Sequence, residues 1–67
     1  MDLQNYLFKN VIVTDTNGKT HKGYVDLYSS AYDNGDTEDS IGIIPTKNSK
    51  EGIELYASEI KSIKVVD

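Results

Sequence analysis

Sixty-seven residues and 7.5 kDa allow one small domain, residues 1–67, because a chain of this length buries only about 60% of the surface it exposes when unfolded. Hydrophobic residues make up 37%, with five Tyr and one Phe, enough for one compact core and too apolar for disorder throughout; with no Cys, neither a disulfide framework nor a thiolate metal site supplements that core. Seven Lys against eleven Asp plus Glu give a net charge of −4 with no Arg, a balance that repels phosphate and weighs against a monomeric nucleic-acid module.

The longest apolar runs, Val11-Ile12-Val13 and Ile43-Ile44, fall far short of the roughly 20 residues that span a bilayer, and Met1-Asp2 opens no signal peptide. The expectation is a soluble, cytoplasmic protein with no membrane partner.

Asp2, followed by Leu3, Tyr6 and Leu7, sets a capping residue before apolar positions at i, i+3 and i+4. This predicts a short amphipathic helix over about 2–9, with Leu3, Leu7 and Phe8 facing inward. Two turns do not hold alone in water, so the helix must lie against the rest of the chain as a lid or an oligomer contact.

From Val11 the period changes. Val11-Ile12-Val13-Thr14 is β-branched throughout, and Asn17-Gly18 is the strongest turn signal in the chain, so a hairpin follows. A two-residue loop would set Val13 opposite Lys22 and Val11 opposite Tyr24. A three-residue loop, Thr16-Asn17-Gly18 with Gly18 left-handed, sets Val13 opposite His21 and Val11 opposite Gly23. The second register is preferred, because it groups Val11, Val13, Val25 and Leu27 on one apolar face and leaves Lys22, Asp26 and the tyrosines on the other.

The second strand is predicted from Lys19 to about Tyr32, with Gly23 at a bend that carries it from one side of a small barrel to the other. Tyr24, Tyr28 and Tyr32 also fit helical spacing, but Gly23, Ser29 and Ser30 are poor helix-interior residues and no cap precedes them. At least two of Tyr24, Tyr28, Tyr32 and Tyr56 are expected to be mostly buried.

Residues 33–40 read as an acidic loop, Ser40 to Ile44 as a third strand stopped by Pro45, and Thr46 to Gly52 as a polar turn. Ile53 to Tyr56 alternates as a fourth strand. Ala57-Ser58-Glu59 fits one 3₁₀ turn, and Ile60 to Val66 is a fifth strand with Ile63 and Val65 on a shared face. The fold class expected is mainly β, a short N-terminal helix followed by a five-stranded, strongly bent antiparallel small barrel.

Catalytic chemistry needs convergent polar groups. His21, the one histidine, could be paired by Asp15 or Asp26 beside the hairpin, but a solitary strand histidine is more often solvated. Asp33, Asp36, Glu38 and Asp39 supply carboxylates for a weak divalent-cation site, yet Gly35 falls third where a calcium loop needs glycine sixth. Neither Gly18 nor Gly23 belongs to a phosphate loop. The chain is expected to be no enzyme and to hold no metal or cofactor.

The helix-plus-five-strand order and the run Gly18-Lys19-Thr20-His21-Lys22-Gly23-Tyr24-Val25-Asp26-Leu27-Tyr28 resemble the Sm-like (LSm) family of small, SH3-like β-barrels. Its first motif has the form hydrophobic-x-hydrophobic, then G-x-x-x-x-G-x-L-x-x-F/Y; Val11, Val13, Gly18, Gly23, Val25 and Tyr28 match in type and spacing. The resemblance implies a homo-oligomeric ring in which the fourth and fifth strands pair with those of neighbouring subunits, and single-stranded, uridine-rich RNA as the ligand.

Transferred to this sequence, the implied base-binding positions fall on Tyr28, Tyr32, Asp33, Asn34 and Tyr56. The family's Asp position is Ser29 here, its Asn position is Asp33 with Asn34 one step off, and Tyr32 takes the apolar position before it. Where Ile-Arg-Gly-x-x-Ile is usual, the chain reads Leu55-Tyr56-Ala57-Ser58-Glu59-Ile60, with Tyr in place of the Arg that meets the base or phosphate. The function expected is a non-catalytic binding module. The alternative is a protein-interaction or assembly subunit on the same barrel, in which exposed tyrosines and the acidic loop meet a protein partner.

Overall fold

A computed structural model describes residues 2–32, 35 and 38–66. Asp33, Asn34, Asp36 and Thr37 of the acidic loop lie outside the described residues.

Five strands follow an N-terminal 3₁₀ turn, Leu3–Tyr6: β1 Asn10–Asp15, β2 Thr20–Ser29, β3 Ser40–Ile44, β4 Ile53–Tyr56 and, after a second 3₁₀ turn at Ala57–Glu59, β5 Ile60–Val65. They form one antiparallel sheet in the order β4-β3-β2-β1-β5. The mainly β class holds. β4 and β5 stand at opposite ends of the order and do not pair with each other, so the sheet is not closed into a barrel.

The β1–β2 hairpin forms in the three-residue register, with Val11 opposite Gly23 and Val13 opposite His21. Gly18 is left-handed at φ 84°, and its N–H donates to the Asp15 carbonyl at 3.0 Å. Asp15 completes the turn: its Oδ1 accepts the N–H groups of Asn17 and Lys19, each at 2.9 Å, which satisfies backbone donors that a loop would otherwise leave to water.

Residues 2–9 do not form the predicted two-turn helix. Asp2 makes no side-chain capping bond, and the turn ends after Tyr6. The chain then swings out through Phe8 at φ 65°, so that Phe8 N–H reaches the Val25 carbonyl at 2.8 Å and Val25 N–H reaches the Lys9 carbonyl at 3.0 Å. Bonding to β2 wins over one more helical turn, because so short a helix gains little from propagation. Leu3 is fully buried and Leu7 is half-buried, but Phe8, expected inside, is 64% exposed.

β2 is a strand throughout Thr20–Ser29, which removes the helical alternative for Tyr24, Tyr28 and Tyr32, and it ends three residues short of the expected limit. Two features set its fit to β3. At Gly23 a Cβ would collide with the Ile44 carbonyl oxygen and approach Ile43 Cγ2 to 2.7 Å, so only glycine lets β3 come this close. Between Val25 and Leu27 the pairing with β3 shifts by one residue, a β-bulge that the sequence did not predict. The extra residue inverts the alternation: Val25 points into the core, Leu27 is 57% exposed, and Tyr28 packs against the core. The expected apolar face of Val11, Val13, Val25 and Leu27 therefore loses its last member.

The core consists of Leu3, Val11, Val13, Val25, Ile41, Ile43, Leu55 and Ile60, with Tyr6, Leu7, Tyr28, Ala57 and Ile63 against its margin. Burying each large aliphatic contributes about 1.5–3 kcal/mol. Ile63 and Val65 share a face opposite Val13 and Val11, as expected, although Val65 at the sheet edge remains 41% exposed.

Candidate functional site

Of the residues proposed from sequence, Tyr28 and Tyr56 fall where the chain leaving β2 meets the turn between β4 and β5. Ser29, Ser40 and Tyr56 form one cross-strand row over β2, β3 and β4, and Tyr28, Ile41 and Leu55 form the next. This end of the sheet therefore collects Tyr28 and Tyr56, which lie 28 positions apart in the chain.

Carboxylates hold the junction together. Asp39 Oδ2 accepts the Tyr28 hydroxyl at 2.9 Å, Asp39 Oδ1 accepts Ala31 N–H at 2.8 Å, and the Asp39 carbonyl accepts Ala57 N–H at 2.9 Å. Beside it, Glu38 grips Ser58 with both oxygens, taking the backbone N–H at 2.7 Å and the hydroxyl at 3.1 Å. Glu59 Oε1 accepts Tyr56 N–H at 3.0 Å, and Glu54 Oε2 accepts the Ser40 hydroxyl at 2.9 Å. Charge-assisted bonds of this kind are stronger than neutral ones, so the acids that the sequence shows as a solvated loop serve in part to strap residues 38–39 onto residues 57–58.

The proposed ligand residues separate accordingly. Tyr28 is half-buried, its ring on the core and its hydroxyl committed to Asp39. Tyr56 is half-buried at the end of β4, and Tyr24 is likewise half-buried, so three of the four tyrosines are more covered than exposed. Tyr32 is 92% exposed. Asp33 and Asn34 lie outside the described residues. Glu38 and Ser58 were missed from sequence, where nothing marks a glutamate and a serine 20 residues apart as partners.

The junction's electrostatics are negative. Glu38, Asp39, Glu54 and Glu59 surround it, and no lysine lies in 51–59. Such a surface disfavours phosphate and favours neutral or cationic groups. Among the described residues no group of three or more His, Asp or Glu is arranged to hold a metal ion, and no helix is long and apolar enough to cross a membrane.

His21 sits elsewhere, on the hairpin. Its Nε2 lies 2.9 Å from Asp15 Oδ2, which settles its partner as Asp15 rather than Asp26. The bond to His21, with the amides of Lys19 and Asn17, holds the Asp15 carboxyl below its ordinary value against a smaller opposing effect of desolvation. Nearby, His21, Lys22, Ile43, Pro45, Glu51 and Ile53 line an open groove of about 340 Å³. No spacing in the sequence could foretell it, since it is assembled from β2, β3 and the connection to β4.

No protein-family model matches this chain, and no curated protein or solved structure is significantly similar to it.

Proposed function

We propose that this chain is a non-catalytic binding module of the Sm-like type that works as an assembly of its own copies. The single observation that carries this reading is the pair of open edges. β4 and β5 each have a neighbour on one side only, and they are the two strands that the Sm-like resemblance would join between subunits. An edge strand presents unpaired N–H and C=O groups that another strand can satisfy, and a five-stranded sheet this small gains stability by covering them. Light scattering on a sizing column tests the reading. A mass that is a multiple of the single chain supports it, and a strict monomer at micromolar concentration overturns it.

A second reading adds single-stranded RNA as the ligand of that assembly, and the observation in its favour is Tyr32. A ring 92% exposed next to the strapped junction is a platform on which a base can stack. The net charge of −4 and the carboxylates around the junction act against it. A fluorescent uridine-rich oligonucleotide should show an anisotropy rise at low salt that shrinks as salt is added. No rise at low salt would leave self-assembly, with a protein as any further partner.

A further inference from the structure

The sheet has a vacant place inside it, between β2 and the chain that leads into β4. β2 starts at Thr20, but its pairing with β3 begins only at Tyr24, opposite Ile44, where β3 ends. Each residue of an antiparallel strand directs its N–H and C=O together, alternately to one neighbour and to the other. The Lys19 carbonyl accepts Asp15 N–H at 2.8 Å, and Val25 N–H donates to the Lys9 carbonyl at 3.0 Å, so the odd-numbered residues of this stretch face β1. Lys22 therefore turns both of its backbone groups the other way, into the vacancy, and no described residue bonds to them there.

Thr46 is the residue that a longer β3 would have set there. Carrying the Tyr24–Ile44 register onward places it opposite Lys22, but the chain turns away at Pro45. Thr46 N–H donates to Ser49 Oγ at 3.3 Å, and its carbonyl accepts Ser49 N–H at 3.0 Å. Returning toward β4, the chain packs Gly52 against the end of β3, where a Cβ would come within 2.6 Å of the Ile43 carbonyl oxygen. What is left is the groove of about 340 Å³, lined by His21 and Lys22 from β2, Ile43 and Pro45 from the end of β3, and Glu51 and Ile53 from the β4 side.

We infer that this groove is a docking site for an extended peptide segment of a partner protein, which lies antiparallel to β2 in place of the missing continuation of β3. One peptide residue takes both backbone bonds of Lys22: its N–H donates to the Lys22 carbonyl, and its carbonyl accepts the Lys22 N–H. Directly opposed residues share a face, so the side chain of that residue stands beside the Lys22 side chain. Lys22 is exposed and takes part in no ion pair within 4.0 Å among the described residues, and Asp or Glu is the match for it. The peptide residues on either side turn to the face of His21, Ile43 and Ile53, where apolar side chains cover Ile53, which is 45% exposed in the single chain. Glu51 in the lining and the net charge of −4 oppose a polyanion, so the chemistry recognised is a single carboxylate between two apolar residues. The site lies inside the sheet and does not depend on the self-association proposed above.

The probe is a capped peptide with Val-Glu-Val at its centre, titrated into the isotope-labelled unaltered chain and followed by NMR. The Lys22 amide should shift saturably at millimolar peptide, and its exchange with solvent should slow. Methylating the backbone nitrogen of the central glutamate removes the donor to the Lys22 carbonyl and should weaken binding roughly tenfold or more. A Val-Lys-Val peptide should bind the unaltered chain roughly fivefold more weakly, and Lys22→Glu, a change at an exposed position, should invert that preference. No shift at Lys22, equal binding of the methylated and plain peptides, or an unchanged preference in the variant would each overturn the inference. So would a uridine-rich oligonucleotide that shifts the Lys22 amide where the peptide does not, since that assigns the groove to nucleic acid.

Discussion

The hydroxyl of Tyr28 donates to Asp39 Oδ2 at 2.9 Å, which makes the aromatic that ends the Gly18-to-Tyr28 motif a strut between β2 and the start of β3. Tyr28→Phe keeps the ring on the core and removes the bond from a half-buried carboxylate. It should cost about 1 kcal/mol, which in a domain of this size lowers Tm by roughly 4–8 °C in a thermal melt. Oligonucleotide or partner binding should be unchanged at temperatures where the variant is folded.

Gly23 and Gly18 are constrained for different reasons, and substitution separates them. Gly23→Ala drives a methyl group into the Ile44 carbonyl and Ile43 Cγ2, backbone and core that cannot both retreat, and should destabilise by roughly 3 kcal/mol or more. Gly18→Ala meets nothing within 4 Å and bears only the strain of φ 84°, about 1–2 kcal/mol. Chemical denaturation of both variants checks the order. Equal losses would mean that β2 and β3 are not in close contact at Gly23.

The bulge between Val25 and Leu27 makes a second paired prediction. Val25 is fully buried and Leu27 is 57% exposed, so Val25→Ala should cost about 2 kcal/mol and Leu27→Ser should stay within about 0.5 kcal/mol of the parent. Were the strand regular, Leu27 would be the core residue and its substitution the costly one.

How much of this was legible depends on the kind of constraint. The hairpin register was readable because Asn17-Gly18 fixes the loop and the Val11 and Val13 faces tolerate only one parity. The limits of β3 and β4 were readable from Pro45 and from the alternation Ile53 to Tyr56. The bulge was not, since Val25-Asp26-Leu27 alternates as an unbroken strand does, and only contact with Gly42 and Ile43 shows where the extra residue lies. The N-terminal helix was misjudged because local spacing competed with a bond from Phe8 to Val25 that no local pattern records. The strap at the junction was invisible for the same reason: Glu38 and Ser58 meet only through the fold.

Asp15 gives the pH dependence. Its carboxyl lies below the ordinary value of 3.8, through its bonds to His21 and to two turn amides. A carboxylate whose value is lowered on folding contributes stability that is complete above the unfolded value and is lost as pH falls through the folded one. Stability should therefore decline as pH drops below about 4, and Asp15→Asn should flatten that part of the decline. Denaturant midpoints of both proteins between pH 2 and pH 6 provide the check; parallel curves would mean that the turn does not depend on the charge.

The central claim is that the open edges are where copies of this chain meet, and β4 can be closed without disturbing the sheet. Residues of an antiparallel strand turn their N–H groups alternately to either side. Tyr56 gives its N–H to Glu59 and not to β3, so Glu54, two residues earlier, faces the open side as well. Proline there removes a donor that the single chain does not use, as edge strands tolerate. The most direct measurement is the molar mass of the unaltered chain and of Glu54→Pro at equal concentration, by light scattering. The account predicts a multiple of 7.5 kDa that falls to the single-chain mass in the variant. A value of 7.5 kDa for the unaltered chain, or the same multiple in both, would contradict it.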